Sequence, residues 1–129
     1  MNGKYLLDTN IVIAILAGET DVLERLIESD EVFVPIIVIG ELYYGARKST
    51  HVEKNISRID ELAANSALLG CDLNTSHHYG RIKNELRAKG RPIPENDIWI
   101  AAVAQQYGLT LASRDAHFDE VQALSHVAW

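Results

Sequence analysis

The sequence predicts an α/β sandwich built on a mainly parallel sheet of four to five strands. Short β-branched runs alternate with longer stretches of helical periodicity, and most junctions between them are short and marked by Gly or Pro. The composition agrees, with 47% hydrophobic and 23% charged residues in 129, ordinary values for a globular chain able to bury one core as a single domain, 1–129.

"KYLL" (4–7) is the first strand, and the run from Asn10 to Ala17 is a helix that Gly18 breaks. Thr20 and Asp21 offer caps for a second helix carrying Val22, Leu23, Leu26 and Ile27. "EVFVP" is the second strand, and Pro35 suits the first turn of a helix reaching about Lys48. Val52, Ile56, Ile59 and Ala63 recur at helical spacing. "SALLGCD" makes a third strand, after which Asn74, Thr75 and Ser76 can cap a helix with Tyr79, Ile82 and Leu86 on one face, ended by Gly90. "RPIPEND" turns the chain into a helix from about residue 95 to Tyr107, closed by Gly108. "LTLAS" is the fourth strand, and a weak fifth lies near "LSHVAW".

Composition narrows the function classes. The apolar run at 11–17 is too short for a bilayer and has no basic region before it, so neither a membrane helix nor a signal peptide is expected. One cysteine, Cys71, excludes an internal disulfide and fits a reducing cytoplasm. The net charge of −6 argues at first against nucleic acid.

In open parallel sheets, ligands bind beyond the carboxyl ends of the strands. Asp8 follows the first strand and Asp115 the fourth. A helix cap or a metal-binding carboxylate would each explain Asp8; Asp115 reads equally as a turn residue. Glu41 and Asp97 lie on helices. Ile37, Val38, Tyr44 and Gly45 share the face of Glu41, and Ile93, Pro94, Ile100 and Ala101 that of Asp97. Both acids thus belong to faces that turn inward. Glu85, among Arg81, Ile82, Ala88 and Lys89, is by contrast an ordinary ion-paired surface residue. Carboxylates gathered at one site repel each other unless a cation lies between them. A set made only of Asp and Glu suits Mg²⁺ or Mn²⁺, and the chemistry that follows is phosphodiester hydrolysis by an activated water.

With "LLDTNIVI", "IGELYYGA", "PENDIWIAAVAQQYGLTLAS" and "RDAHF" in this order, the chain resembles the PIN-domain ribonucleases along essentially its whole length. The likeness is strongest to the toxin subunits of VapBC-type toxin–antitoxin pairs. It implies a three-layer α/β/α fold, usually a homodimer, and Mg²⁺- or Mn²⁺-dependent endonucleolytic cleavage of RNA leaving a 5′-phosphate. It implies further that Asp8, Glu41, Asp97 and Asp115 are the metal-binding quartet, supported by the polar side chains of Thr9 or Asn10 and of Ser113. The implied partner is a small antitoxin whose carboxyl-terminal segment lies across the active site.

The charge objection then weakens. Setting the quartet aside, fourteen acids face twelve bases, a balance of −2. Arg114 adjoins Asp115 and is a candidate for RNA contact. Arg81 and Arg87 belong to a basic run with Lys83, Lys89 and Arg91 that reads either as a solvated helix face or as an RNA track. His117 is assigned to fixing the turn after Asp115, and Tyr43, Tyr44 and Trp99 to core packing or a dimer contact.

The competing reading is a catalytically silent PIN-like module that binds RNA or protein, although a binder has no need of four mutually repelling acids. An Asp-nucleophile phosphatase wants D-x-D, and Asn10 stands where the second Asp would be. A phospho-receiver wants paired acids before the first helix. No G-x-x-x-x-G-K-[ST] loop is present.

Overall fold

The order of the strands is what positions everything else. In the computed structural model, which describes residues 3–129, five strands run in parallel in the order β3-β2-β1-β4-β5. They are β1 (Lys4–Leu7), β2 (Glu31–Pro35), β3 (Ala67–Leu69), β4 (Thr110–Ala112) and β5 (His126–Val127). From β1 the chain moves outward through β2 to β3, then returns to lay β4 on the other side of β1. The boundary between β1 and β4 is therefore the switch point of the sheet, where a crevice opens at the strands' carboxyl ends.

Six helices fill the connections: α1 (Thr9–Leu16), α2 (Thr20–Glu28), α3 (Ile36–Arg47), α4 (Val52–Ala64), α5 (Leu73–Ala88) and α6 (Glu95–Tyr107). Successive residues of a strand point to opposite faces, yet Leu6, Leu7, Leu111 and Ala112 are all buried. Both faces of β1 and β4 are thus covered, as expected of a parallel sheet sandwiched between helical layers. Helix α6 is buried almost all round, through Ile98 and Ile100 to Ala104. It ends at Gly108, whose φ of +65° is the left-handed value a C-terminal glycine accommodates.

Several ends differ from the sequence reading. The N-cap of α2 is Glu19, without a side-chain cap bond, because its carboxylate is taken by Arg114. Pro35 closes β2 and stands as the N-cap of α3 instead of in its first turn. Asp72, rather than Asn74 to Ser76, caps α5, forming with Thr75 a reciprocal capping box. Strand β3 keeps three residues of the seven in "SALLGCD". Trp99 stacks on Tyr79 at 4.1 Å, as a packing role requires, and Tyr43 donates to Asp60. Tyr44, by contrast, is 65% exposed beneath the Lys48 ammonium. No helix among the described residues is long and apolar enough to cross a membrane.

Candidate functional site

Leu7 and Ala112 are paired in register on β1 and β4, so the next residue of each strand emerges at the same level. Those residues are Asp8 and Ser113, both buried. The Ser113 hydroxyl donates to Asp8 Oδ2 at 2.7 Å, and Asn10 Nδ2 approaches the same oxygen at 3.3 Å. The other oxygen, Oδ1, accepts from the Thr9 backbone N–H at 2.8 Å and caps α1. The cap that the sequence offers for Asp8 is thus made by Oδ1, while Oδ2 is held by Ser113 and Asn10.

Ser113 Oγ also accepts from the Asp115 backbone N–H at 3.0 Å, which turns the chain after β4. The Asp115 carboxylate in turn caps the short 3-10 helix Ala116–Glu120 by accepting from His117 N–H at 2.9 Å. Asp97 stands in the first turn of α6, held in place by the buried body of that helix. Three acids thus meet at the N-terminal ends of helices, where exposed N–H groups favour negative charge.

That arrangement does not relieve them fully. Burial pushes the Asp8 carboxyl above its usual range, and the nearby charge of Asp115 adds to the rise, while the Ser113 and Thr9 hydrogen bonds oppose it. Asp97 is raised likewise, by burial first and then by Asp8 and Asp115, with the His117 hydrogen bond working the other way. Carboxylates in this condition fit a divalent cation, which would remove both penalties, and the oxygen donors suit a hard ion.

The fourth acid is placed differently. Glu41, on α3, accepts from the Thr9 hydroxyl at 3.0 Å, and through Thr9 it is one residue removed from Asp8. It borders a groove of about 210 Å³ between α1, α3 and α4, lined by Ile13, Leu42, Gly45 and Ile59. A single hydrogen-bonded chain therefore runs Glu41–Thr9–Asp8–Ser113–Asp115. Asp97 and Asp115 meet through His117, whose Nδ1 lies 3.1 Å from one and 3.0 Å from the other. His117 was assigned to the turn; it is the Asp115 carboxylate that fixes the turn, and the imidazole reaches across to Asp97. Local sequence carries a weak signal for this, since a capping Asp often holds the backbone two residues on and so brings that residue back over itself.

The three arginines separate. Arg114 leads away from the acids, with Nη2 at 2.8 Å from Glu19 Oε1 and Nε at 2.8 Å from the Trp129 carbonyl. Its backbone N–H donates to Asn10 Oδ1 at 3.1 Å. Arg81 contacts His78, Gln105 and Glu85 beside Gly108 to Thr110, at the amino end of β4, and is not brought to the acids. Arg87 is exposed near Ile93 and Glu95, by the start of α6. Neither Glu19 nor Trp129 has a local sequence pattern that marks it.

Comparison with known proteins identifies the family and the fold. The PIN domain model matches residues 5–124. Ribonuclease VapC2 of Haemophilus influenzae is 40% identical, covering 98% of each chain. The tRNA(fMet)-specific endonuclease VapC of Shigella flexneri is 31% identical over the same shares. The DNA-bound VapBC structure from Salmonella typhimurium contains a chain that superposes with a TM-score of 0.90 at 28% identity, covering 98% of each.

Proposed function

The chain belongs to the PIN-domain family and, within it, to the VapC ribonucleases, and from that premise we propose that it is a metal-dependent endoribonuclease, the toxin of a type II toxin–antitoxin pair. The observation that carries the reading is the meeting of Asp8, Asp97 and Asp115 at the β1/β4 switch point, two of them with carboxyl groups pushed upward by burial and mutual charge.

Asp8, Asp97 and Asp115 would hold Mg²⁺ or Mn²⁺, with Glu41 as the fourth acid. When bound, such an ion supplies Lewis acidity to a phosphodiester and lowers the pKa of a coordinated water. The chain's own residues do the positioning. Ser113 fixes the rotamer of Asp8 and the backbone of Asp115 at once. Thr9 orients Glu41, which would serve as the base that accepts a proton from an attacking water. The N-terminal ends of α1 and α6 add fixed positive dipoles for a phosphate.

Structured RNA is the proposed substrate, with transfer RNA the first to try, because the Shigella relative is named for tRNA(fMet). Arg87, exposed near the start of α6, would track the backbone; Arg114 joins it only if released from Glu19. The proposed partner is a small VapB-like antitoxin, since the structural neighbours are VapBC complexes. The apolar groove beside Glu41, with Ile13 53% exposed on its edge, offers a seat for a side chain of that partner. A homodimer in the cytoplasm completes the assignment.

The test is incubation of the purified protein with a bacterial total-RNA pool, with Mg²⁺, Mn²⁺ or EDTA, followed by sequencing of new 5′-phosphate ends. Discrete metal-dependent ends within one structured RNA are expected. RNA binding without any new end would favour the silent binding module.

A further inference from the structure

His117 lies outside the four acids, yet its ring joins two of them. Nδ1 is 3.1 Å from Asp97 Oδ2 and 3.0 Å from Asp115 Oδ1, and ligand atoms from the three residues all lie within 4.8 Å of one another. In an octahedral shell with bonds of about 2.0–2.1 Å, neighbouring donors stand about 3 Å apart and opposite donors about 4 Å. The separation of Nδ1 from each carboxylate oxygen is thus that of two neighbouring donors on one ion. A single Nδ1–H, by contrast, can point well at only one of two oxygens at such distances. The ring is held there by the backbone, because His117 N–H is fixed to the Asp115 carboxylate. The side chains of Asp97, Asp115 and His117 are 13%, 32% and 48% exposed, so the cluster is reachable from solvent.

We propose that His117 is a nitrogen ligand of the divalent cation held by Asp97 and Asp115, which makes the centre a mixed imidazole–carboxylate site selective for Mn²⁺ over Mg²⁺. The inference rests on the metal-site reading above and deepens it. Mn²⁺ shares the oxygen preference of Mg²⁺ but, as the first member of the transition-metal series for which imidazole affinity rises, accepts a nitrogen donor more readily than Mg²⁺, which keeps its waters. Nδ1 is thus worth more to Mn²⁺ than to Mg²⁺. Asp8, buried and held by Ser113, Thr9 and Asn10, would then complete the charge balance from the other side.

The experiment is Mn²⁺ titration of the whole protein with electron-spin-echo detection of ¹⁴N coupling to the bound ion, on wild type, His117→Gln and Asp97→Asn, each checked for folding by circular dichroism. Wild type is expected to show one coupled ¹⁴N, lost in His117→Gln together with about tenfold in Mn²⁺ affinity, on the order of other ligand-shell losses, and with a much smaller loss for Mg²⁺. Mn²⁺ bound without ¹⁴N coupling, or equal losses for the two ions, would overturn the role of His117 and leave the acidic site standing. Absence of Mn²⁺ binding, or binding that survives Asp97→Asn, would overturn the acidic site as well.

Discussion

Removal of one oxygen atom, in Ser113→Ala, probes the architecture of the site without touching an acid. Ser113 is 6% exposed, and its hydroxyl both donates to Asp8 at 2.7 Å and accepts from Asp115 N–H at 3.0 Å. The variant leaves Asp8 Oδ2 with only the longer Asn10 contact at 3.3 Å and leaves the Asp115 N–H without its acceptor. A hydrogen bond to a charged group contributes about 1.5–3 kcal/mol. At about 4 °C per kcal/mol for a chain of this size, metal-free protein at pH 7.5 should melt ~6–12 °C lower. The deficit should also depend on pH with a definite sign. The Ser113 bond holds the Asp8 carboxyl below where burial alone would put it, so its contribution belongs to the ionised form and fades as pH falls through the folded value. Thermal unfolding followed by circular dichroism in EDTA, at several pH values, reads both quantities. A shift under about 2 °C at pH 7.5, or a deficit that widens on acidification, would show that the Ser113 bond does not hold ionised Asp8, and Ser113→Thr should recover most of the loss.

Thr9→Val removes the hydroxyl that orients Glu41 and should cost about 10- to 100-fold in cleavage rate with the fold intact. Full activity in that variant would place Glu41 outside the reaction. Arg114→Ala is expected to leave RNA affinity nearly unchanged, because its guanidinium is engaged by Glu19 and Trp129. Glu19→Ala should release it, tighten RNA binding and raise the salt slope by about one; equal slopes in filter-binding assays would remove Arg114 from the RNA surface. Metal-free protein should lose thermal stability as pH rises from about 5 to 8. His117, raised above 6.5 chiefly by its hydrogen bond to Asp97, stabilises fully below that value and less as it deprotonates. Asp8 and Asp97, raised above 3.8 chiefly by burial, act in the same direction as they ionise. Asp97→Asn should flatten the profile, and a melting temperature that climbs with pH would contradict the assignment.

The legible parts of this protein are those set by local chemistry. Residues of helical period place α4 and α6 within a residue or two, and Gly108 stops α6 where it must. Glu41 and Asp97 stand out because acids on apolar faces need a reason, and Asp8 because one strand hands over to a helix across it. The departures come from contacts distant in sequence. Glu19 is an unmarked surface acid until Arg114, ninety-five positions on, arrives beside it. The role of Ser113 depends on register between β1 and β4, 105 positions apart, which no window of sequence contains. Asp72 is a different case, since Thr75 stands three residues beyond it and the capping box is visible locally, overshadowed by the richer "NTS" that follows. His117 needed both a local turn and the distant start of α6 before its ring met Asp97.

On the proposed function, these acids cut RNA by holding a divalent ion. The most direct measurement is single-turnover cleavage of a labelled transfer RNA substrate by protein stripped with EDTA and then restored with Mn²⁺ or Mg²⁺, for wild type beside folded Asp97→Asn. Wild-type cleavage is expected to vanish on stripping and return with the ion, and the variant to cleave at least about 10³-fold more slowly, the scale of losing a main electrostatic contact to the reacting group. Cleavage that persists in EDTA, or that Asp97→Asn leaves intact, would contradict it.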